Sequence, residues 1–419
     1  MPLVTVRRAG VLTVAVLTFA LFAACSPTLK SEKNASGATI LHWYAGPDRV
    51  DSVALAEACS KASGGDYELK VEQLPQDADE RHNLLVRRLS AKDPAIDLIG
   101  LDDSFTAEFA KAQFLAPIPD DLAPAYAKDV FPKALSAATF DGALIAAPWW
   151  FDPQLLWHRG TVAERAGLDM TKPVAWDKLI AGAARIGVGV EIDDSDGRGV
   201  PDLVSALVVA AGGKVVDGPG RRSPVGLQSE AGEKAASIVQ FYNESKIGPG
   251  PSAEALAKFA GTSGGFLLAP TSVVSDPALT AVAADMQWAP YPVVDADSPS
   301  VAPLAGVNLA VPLYAPRSDL SYKAITCLTS AESMQALMTS AGHSSSRMTT
   351  YDDAKNSYPM ADVAKKAVTS GAAVPKTPYW QGARAGLLDT WLPLNAVETL
   401  ITPRTSQRAV VARLAGELP

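Results

Sequence analysis

A chain of 419 residues with 48% hydrophobic and 20% charged residues is long enough for two domains of ordinary size and has the apolar content for a buried core. Its formal charge of −8 at pH 7 argues against nucleic acid as a partner and against a membrane-binding face that depends on positive charge.

The first 24 residues have the pattern of a lipoprotein signal peptide. Two arginines precede an uncharged apolar run, 9–24, which ends in two alanines directly before Cys25. This order is typical of a secretory signal, and a cysteine after the small residues resembles the bacterial lipobox, although Phe22 occupies the position where Leu, Val or Ile is usual. We therefore predict that residues 1–24 are removed and that acylated Cys25 anchors the protein to the outer face of the cell membrane. The alternatives are an ordinary signal peptide and an uncleaved membrane anchor. The apolar run is shorter than the ~20 residues that a membrane span needs, which argues against the anchor.

Removal of residues 1–24 takes away two arginines and no acid, so the mature chain carries −10. Residues 25–37 are polar and predict a flexible tether. Cys59 and Cys327 are the two cysteines that remain once Cys25 is acylated. In an exported protein two such residues most simply pair, so we predict a disulfide, with two buried free thiols as the alternative.

The first part of the mature chain alternates between strand and helix patterns. Apolar spacing predicts strands at 39–44, 67–71 and 96–101 and helices at 51–62, 79–89 and 106–113. This alternation predicts a parallel α/β sheet.

Prolines interrupt the pattern after this point and predict loops at 115–119 and 147–150. Two further strands are predicted at 155–158 and 307–311. The later predicted helices are 176–186, 203–211, 232–242, 252–260, 320–330, 331–340 and 407–414.

Motifs that would indicate an enzyme or a metal site are weak. Residues 261–265 fit Gly-x-Ser-x-Gly, but a predicted helix precedes them and an apolar run follows, which is the reverse of a nucleophile elbow. Residues 193–197 resemble a calcium loop without its downstream Glu, and the four histidines lack metal-ligand spacing. We therefore predict no catalytic residues, no metal and no cofactor, while an enzyme whose catalytic pair is distant in sequence stays an alternative.

Aromatic and acidic side chains suggest a sugar site instead. Flat rings cover the C–H faces of a pyranose, and carboxylates accept hydrogen bonds from paired hydroxyls. Singly, each tryptophan is more often a core residue and each aspartate a turn or helix cap. Their combination at strand ends of an α/β sheet predicts a carbohydrate cleft. The aromatic residues are Trp43, Tyr44, Trp149, Trp150, Trp380 and Trp391, and the acids are Asp48, Asp102, Asp103 and Asp152.

Several segments, in this order, resemble bacterial extracellular solute-binding proteins of the sugar type, the lipid-anchored receptors of ABC importers. They are 95–102, 109–118, 147–157, 175–180, 210–213 and 305–311. The resemblance implies a periplasmic-binding-protein-like fold: two discontinuous α/β lobes with a ligand cleft and a hinge between them. It also implies a monomer that binds a small carbohydrate, delivers it to the permease subunits and has no enzymatic activity.

This resemblance gives the domain boundaries. Residues 38–148 with 289–343 would form lobe 1, and residues 149–288 with 344–419 would form lobe 2. The hinge segments would lie near Trp150 and Ser345.

A closer resemblance is to the trehalose-binding lipoproteins of mycobacteria and related actinobacteria, through 54–60, 86–90, 101–110 and 324–327. It implies sugar contacts at Asp48, Asp102, Asp152 and Gly342, beside which we add Asp103 and Trp150. That group also contacts its sugar through a Glu and a Trp of the second lobe and through an Arg. Ser252 and Pro270 occupy the positions of the Glu and the Trp here, and Lys376, Tyr379 and Trp380 are candidate replacements for the Arg. From this resemblance we predict a disaccharide such as trehalose as the ligand. An exported carbohydrate-active hydrolase and a structural or adhesion lipoprotein are the alternatives.

Overall fold

A computed structural model describes residues 32–354, 357–391 and 402–416. The predicted signal peptide and Cys25 lie outside the described residues. No helix in these ranges is both long and apolar enough to cross a membrane.

The described part of the chain contains strands that belong to two sheets and one small hairpin. The strands are β1 (Thr39–Ala45), β2 (Tyr67–Gln73), β3 (Leu98–Asp102), β4 (Thr139–Phe140), β5 (Ala143–Leu144), β6 (Ala147–Arg159), β7 (Gly189–Asp193), β8 (Pro251–Ser252), β9 (Gly264–Pro270), β10 (Met286–Ala289) and β11 (Leu304–Ala310).

Helices connect these strands and form the C-terminal segment. They are α1 (Ser52–Ala62), α2 (Ala78–Ser90), α3 (Thr106–Lys111), α4 (Ala123–Ala127), α5 (Pro132–Ala137), α6 (Gly160–Ala166), α7 (Trp176–Ile186), α8 (Gly199–Ala210), α9 (Glu230–Ser245), α10 (Ala255–Ala260), α11 (Ser318–Leu328), α12 (Ala331–Ala341), α13 (Thr350–Asp353), α14 (Ala361–Ser370), α15 (Trp380–Trp391) and α16 (Pro403–Ala415). Short 3-10 helices follow β3 and β9 at Asp103–Phe105, Thr271–Ser275 and Pro277–Val282.

Local sequence determines where the predicted helices begin and end. Asp77 caps α2 because its side chain accepts hydrogen bonds from the backbone N–H groups of Asp79 and Glu80, at 2.9 and 3.0 Å. Helix α7 ends at Gly187, whose φ of +69° is favourable for glycine and lets the chain turn away from the helix axis. The predicted bounds of α7 agree with the structure.

The first sheet begins with the predicted parallel unit. Strand β1 pairs in parallel with β2 and β3, which confirms the parallel α/β arrangement of this region. Strand β11 then adds antiparallel to β3, although about 200 residues separate them in sequence. The first sheet is therefore completed by a segment from much later in the chain.

Strand β6 joins the first sheet to the second. Its residues 147–153 pair with β11, whereas residues 154–159 pair with β9 and β10. The second sheet continues from β9 to β7 and from β7 to β8. Since β11 returns to the first sheet after β7–β10 have built the second, the fold consists of two discontinuous α/β lobes, as predicted. The residue boundaries of the lobes stay a prediction.

Alternating residues of the first sheet face two separate cores. Trp43 and Leu98 pack with α1, α11 and α12 on one face, and Tyr44 and Ile99 pack with α2 and α3 on the other. This alternation follows from the two-residue period of a strand. Helices therefore cover both faces of the sheet, and only the ends of its strands remain open for a functional site.

Cys59 on α1 and Cys327 on α11 form a disulfide, with their Cα atoms 5.8 Å apart. The two helices pack side by side on the same face of the first sheet. The predicted pairing is thus confirmed, and the bridge ties the N-terminal strand-helix unit to the returning segment of the same lobe.

The loop predicted at 147–150 is wrong, because these residues begin β6. Prolines are tolerated in strands at bulges and where the hydrogen-bond ladder changes partner. Pro148 lies opposite a bulge between Val307 and Asn308, and Pro153 lies where β6 leaves one sheet for the other.

The loop-like surroundings expected for Trp380 and Trp391 are also wrong, since these residues begin and end α15 and are buried. Strand β7 was not predicted. Only α10 (Ala255–Ala260) of the predicted helix 252–260 is helical, because Pro251–Ser252 form β8.

The predicted tether is shorter than residues 25–37. Lys33 forms a bridge with Thr39, and the side chain of Asn34 accepts from the Ala38 N–H at 2.9 Å and donates to Glu68 at 2.6 Å. Residues 33–38 are therefore part of the folded domain.

Replacing both bridged cysteines, Cys59→Ala with Cys327→Ala, is expected to lower the free energy of unfolding by about 3–5 kcal/mol, because the bridge closes a loop with a sequence separation of 268. Urea unfolding of the double variant against the parent measures the change. Free thiols in an unfolded, unreduced Cys25→Ser chain would contradict the pairing.

Candidate functional site

Loops that follow strands of both sheets enclose a cavity of about 320 Å³. This volume lies at the lower end of the range for small-molecule sites, ~300–1,000 Å³. The carboxyl ends of β1, β7 and β9 open into it, as is usual for ligand sites of α/β proteins. The lining residues are Pro47, Asp48, Arg49, Gln76, Arg81, Trp150, Asp152, Gln154, Asp193, Ser195, Asp196, Arg198, Gly199, Asp202, Pro270, Ser272, Asp276, Pro303, Ala305 and His343.

Strand β6 supplies one wall of the cavity. Trp150 and Asp152 are two residues apart and so lie on the same face of the strand. The imidazole of His343 stacks on the Trp150 indole at 4.3 Å between ring centroids, and its Nδ1 lies 2.7 Å from Asp152 Oδ2. The backbone N–H of Ser344 donates to the other carboxylate oxygen at 2.6 Å. The protein thereby fixes Asp152, the indole and the imidazole as one unit.

Two ring nitrogens of this unit lack a partner. The Trp150 Nε1 and the His343 Nε2 are buried and make no hydrogen bond with any residue that the structure describes. The indole N–H is a donor, whereas the His343 Nε2 is an acceptor in a neutral imidazole whose Nδ1 donates to Asp152. Buried polar atoms are almost always hydrogen-bonded, so unpaired ring nitrogens in a cavity wall indicate groups that a ligand can satisfy.

Two arginines reach the cavity from opposite lobes and meet at Asp102. Arg81 from α2 donates to Asp102 at 3.0 Å, and Arg198, before α8, lies 3.9 Å from the same carboxylate. Arg198 also pairs with Asp196 at 2.6 Å. Because all of these groups are buried or nearly so, the pairs order the two arginines more than they add net stability.

Two acids that line the cavity are not paired with an arginine. Asp48 follows β1 and Asp202 lies in the first turn of α8, and within the described residues neither carboxylate makes a hydrogen bond or an ion pair. Burial raises the pKa of Asp48, against the opposing effect of His343. Burial also raises the pKa of Asp202 to about 8, although Arg198 acts in the opposite direction. Both carboxyls therefore bind protons more tightly than a solvated aspartate does.

Ion pairs between the lobes close the rim of the cavity. Arg49, after β1, pairs at 2.9 Å with Asp276, after β9. Arg384 on α15 pairs with Asp79 on α2 and donates to the backbone oxygen of Gly197 at 2.5 Å. Since α15 packs against α8 of the second lobe, these contacts hold the two lobes together around the cavity.

The structure brings three of the predicted site residues to the cavity, namely Asp48, Trp150 and Asp152. Asp102 does not line it but holds Arg81, which does. Gly342 ends α12 with a φ of +73° and directly precedes His343. Of the predicted first-lobe acids, Asp48 thus lies in the cavity wall and Asp102 directly behind it.

The remaining predicted residues lie elsewhere. Asp103 and Lys376 line a second cavity of about 340 Å³, where burial raises the pKa of Asp103 to about 7. The Tyr379 ring has the cations of Lys111 and Arg221 over it, at 4.5 and 4.4 Å from its centroid. Trp380 is a core residue.

Several cavity residues were missed by the sequence analysis: Arg49, Arg81, Gln154, Asp193, Ser195, Asp196, Arg198, Asp202, Ser272, Asp276 and His343. One signal was present. The alternation from Val188 to Ile192 predicts a strand, and an acidic turn at a strand end faces a cleft rather than bulk solvent. The interpretation of residues 193–197 as a polar turn did not include this position at the cleft. No grouping of acids, histidines or cysteines within the described ranges is arranged to hold a metal ion.

The solved structures that this chain resembles share its two-lobe fold. Maltose-bound MalE3 of T. maritima superposes with a TM-score of 0.76 at 20% identity, covering 90% of this chain and 100% of that one. The GacH receptor of Streptomyces glaucescens, solved unliganded and with acarbose, gives 0.76 at 18% identity over 91% and 99%. The cyclic α-maltosyl-1,6-maltose binding protein of Arthrobacter globiformis gives 0.70 at 18% identity over 91% and 100%. These TM-scores, over nine-tenths of this chain, establish the fold.

Sequence comparison gives the family. A "Probable ABC transporter-binding protein" of Deinococcus radiodurans is 28% identical over 134 residues, which are 32% of this chain and 31% of that relative. The match thus spans about a third of that curated protein. The model of the bacterial extracellular solute-binding protein family matches residues 54–335, which is more than half of the chain. This chain therefore belongs to the bacterial extracellular solute-binding protein family.

Proposed function

We propose that this protein is the lipid-anchored substrate-binding receptor of an ABC importer and that it binds a carbohydrate in the cavity between its lobes. The receptor would deliver its ligand to the permease subunits and would act as a monomer without turning the ligand over. The observation that carries this proposal is the wall formed by Trp150, Asp152 and His343. An indole face next to an ordered carboxylate and two unpaired ring nitrogens matches what a pyranose offers: an apolar C–H face ringed by hydroxyls.

The ligands of structurally similar proteins support a carbohydrate. Maltose, acarbose and cyclic α-maltosyl-1,6-maltose are bound by three of them. A disaccharide such as trehalose is our specific proposal, from the acids at Asp48 and Asp152. Pro270, which also lines the cavity, is where the trehalose-binding group carries a tryptophan.

The contacts that we propose follow from the geometry of the cavity. Asp48 would accept hydrogen bonds from ligand hydroxyls, and Trp150 would cover an apolar face. Asp152 would act on the ligand mainly through His343, because both of its oxygens already accept hydrogen bonds from the protein. Asp102 would act through Arg81, which it orients.

A screen of the purified protein against sugars and polyols tests the function. Ligand binding to the folded state raises the midpoint of thermal unfolding by mass action, so a cognate sugar at 100 times its Kd adds about 2.7 kcal/mol of stability. Product analysis of the same samples accompanies the screen. Stabilisation without product supports the receptor, product formation supports the alternative hydrolase, and silence across all sugars contradicts the proposal.

Trp150→Ala is expected to weaken binding of the sugar found in this screen about ten- to hundred-fold, a loss of ~1.4–2.8 kcal/mol, because the ligand loses its apolar contact surface. Isothermal titration calorimetry measures the change. Trp149→Phe is the matched control: Trp149 does not line the cavity, and its Nε1 donates to the Leu328 oxygen at 3.1 Å. The control should lower stability and leave affinity unchanged. Equal affinity losses in both variants would contradict the assignment.

Cys25→Ser is expected to release the mature protein from the membrane fraction, because acylation of Cys25 would be its anchor. Immunoblots of membrane and soluble fractions measure the distribution. The Cys59→Ala, Cys327→Ala double variant is the control and should remain with the membrane. A Cys25→Ser protein that is recovered only from the membrane would refute the lipid anchor.

A further inference from the structure

The ligand cavity contains more acidic than basic side chains. Among the described residues that line it are six aspartates, three arginines and one histidine. The excess matters because charges inside a closed cavity are weakly screened by salt and interact in a low dielectric.

The basic side chains are already matched by acids of the protein. Arg49 pairs with Asp276 at 2.9 Å, and Arg81 pairs with Asp102 at 3.0 Å. Arg198 pairs with Asp196 at 2.6 Å.

His343 likewise lies 2.7 Å from Asp152. No cationic side chain that lines the cavity is therefore left for Asp48, Asp193 or Asp202.

These three acids have only neutral donors or none. Asp193 is 7% exposed, and its oxygens accept from the N–H and hydroxyl of Ser195 at 3.1 and 3.4 Å. Asp48 and Asp202 make no hydrogen bond or ion pair within the part of the chain that the structure describes. Burial raises the pKa of all three carboxyls, which is the consequence of desolvation that no neighbouring cation fully offsets.

Unpaired polar atoms line the same cavity and indicate a second requirement. The Trp150 Nε1, the His343 Nε2 and the Arg198 Nη1 are buried without hydrogen-bond partners among the described residues. The indole and guanidinium N–H groups donate to hydroxyl and ether oxygens, and the imidazole nitrogen accepts from a hydroxyl, whereas the unmatched acids suit a cation. One ligand chemistry meets both needs, namely a polyhydroxylated molecule with a basic nitrogen.

We propose that the cavity takes an amine-bearing carbohydrate, an amino sugar or an aminocyclitol glycoside, whose ammonium group pairs with the unmatched carboxylates of Asp48, Asp193 and Asp202. The hydroxyls of the same ligand meet the indole and guanidinium N–H groups and the imidazole nitrogen. This inference rests on the proposed function, because it concerns the ligand class of the same cavity, and within that class it favours an amine-bearing sugar over trehalose itself.

Matched ligand pairs test the charge directly. Isothermal titration calorimetry compares 2-amino-2-deoxytrehalose with trehalose, acarbose with maltotetraose, and glucosamine with glucose. N-acetylglucosamine serves as the uncharged control. In at least one pair the amine should bind ten-fold or more tightly than its neutral counterpart, since a charge-assisted hydrogen bond is about twice as strong as a neutral one. N-acetylation should abolish any gain of glucosamine over glucose.

Isosteric variants locate the charge. Asp48→Asn and Asp202→Asn should each reduce the ratio of amine to neutral affinity by about ten-fold, because the ammonium loses a carboxylate while hydroxyl contacts are retained. Both variants should fold, since burial already disfavours the charged carboxylate, and the thermal midpoint checks this. Glu57→Gln on the exposed face of α1 makes the same carboxyl-to-amide change outside the cavity and should leave the ratio unchanged.

The outcomes separate this inference from the function on which it rests. Neutral sugars that bind as tightly as the amines in every pair would overturn the inference and leave the receptor function intact. A ratio that is the same in Asp48→Asn, Asp202→Asn and Glu57→Gln would overturn it as well. Absence of binding by every amine and every neutral sugar would overturn both.

Discussion

The structure depends on one long strand that belongs to two sheets. Strand β6 has 13 residues, roughly twice the usual 5–6, and nearly every one of them is buried. Its first half completes the first lobe and its second half begins the second lobe. A side chain in the middle of β6 therefore has a fixed position relative to both lobes. Trp150 and Asp152 occupy this position.

The segment after α12 is hydrogen-bonded to the same part of β6. The Phe151 N–H donates to the Ser344 oxygen at 2.8 Å, and Trp150 forms a bridge with Ser345. His343 is held at the start of this segment by its contacts with Trp150 and Asp152. Two chain crossings between the lobes thus share one hydrogen-bonded cluster. A change in the angle between the lobes would act on the cavity wall through this cluster, which links ligand contact to lobe movement.

Charge has a different role in this cavity from the one it has in the cores. Extensive apolar clusters stabilise the lobes, and arginine–aspartate pairs such as Arg49–Asp276 and Arg384–Asp79 join the lobes near the cavity. Buried ion pairs give little net stability because desolvation offsets their attraction, but they specify geometry. These pairs therefore determine how the two lobes meet around the cavity.

Much of the fold was determined by the sequence itself, because periodic apolar patterns and helix caps act locally. The first strands and helices, the bounds of α7 and the order of segments followed from spacing alone, and the disulfide from two remaining cysteines in an exported chain. Three predicted residues reach the cavity: Asp48 because it follows β1, and Trp150 and Asp152 because they lie in the middle of β6, where the two sheets meet.

Only the tertiary structure decided the rest. Arg198 and His343 are unremarkable in sequence, and they become part of the site because crossings between the lobes bring distant segments together. Trp150 and Trp380 have similar proline-rich neighbours, yet one lines the cavity and the other fills a core. A local pattern specifies which residues form a strand or a helix. Which faces of these elements meet depends on long-range packing, about which the spacing of residues in the sequence carries no information.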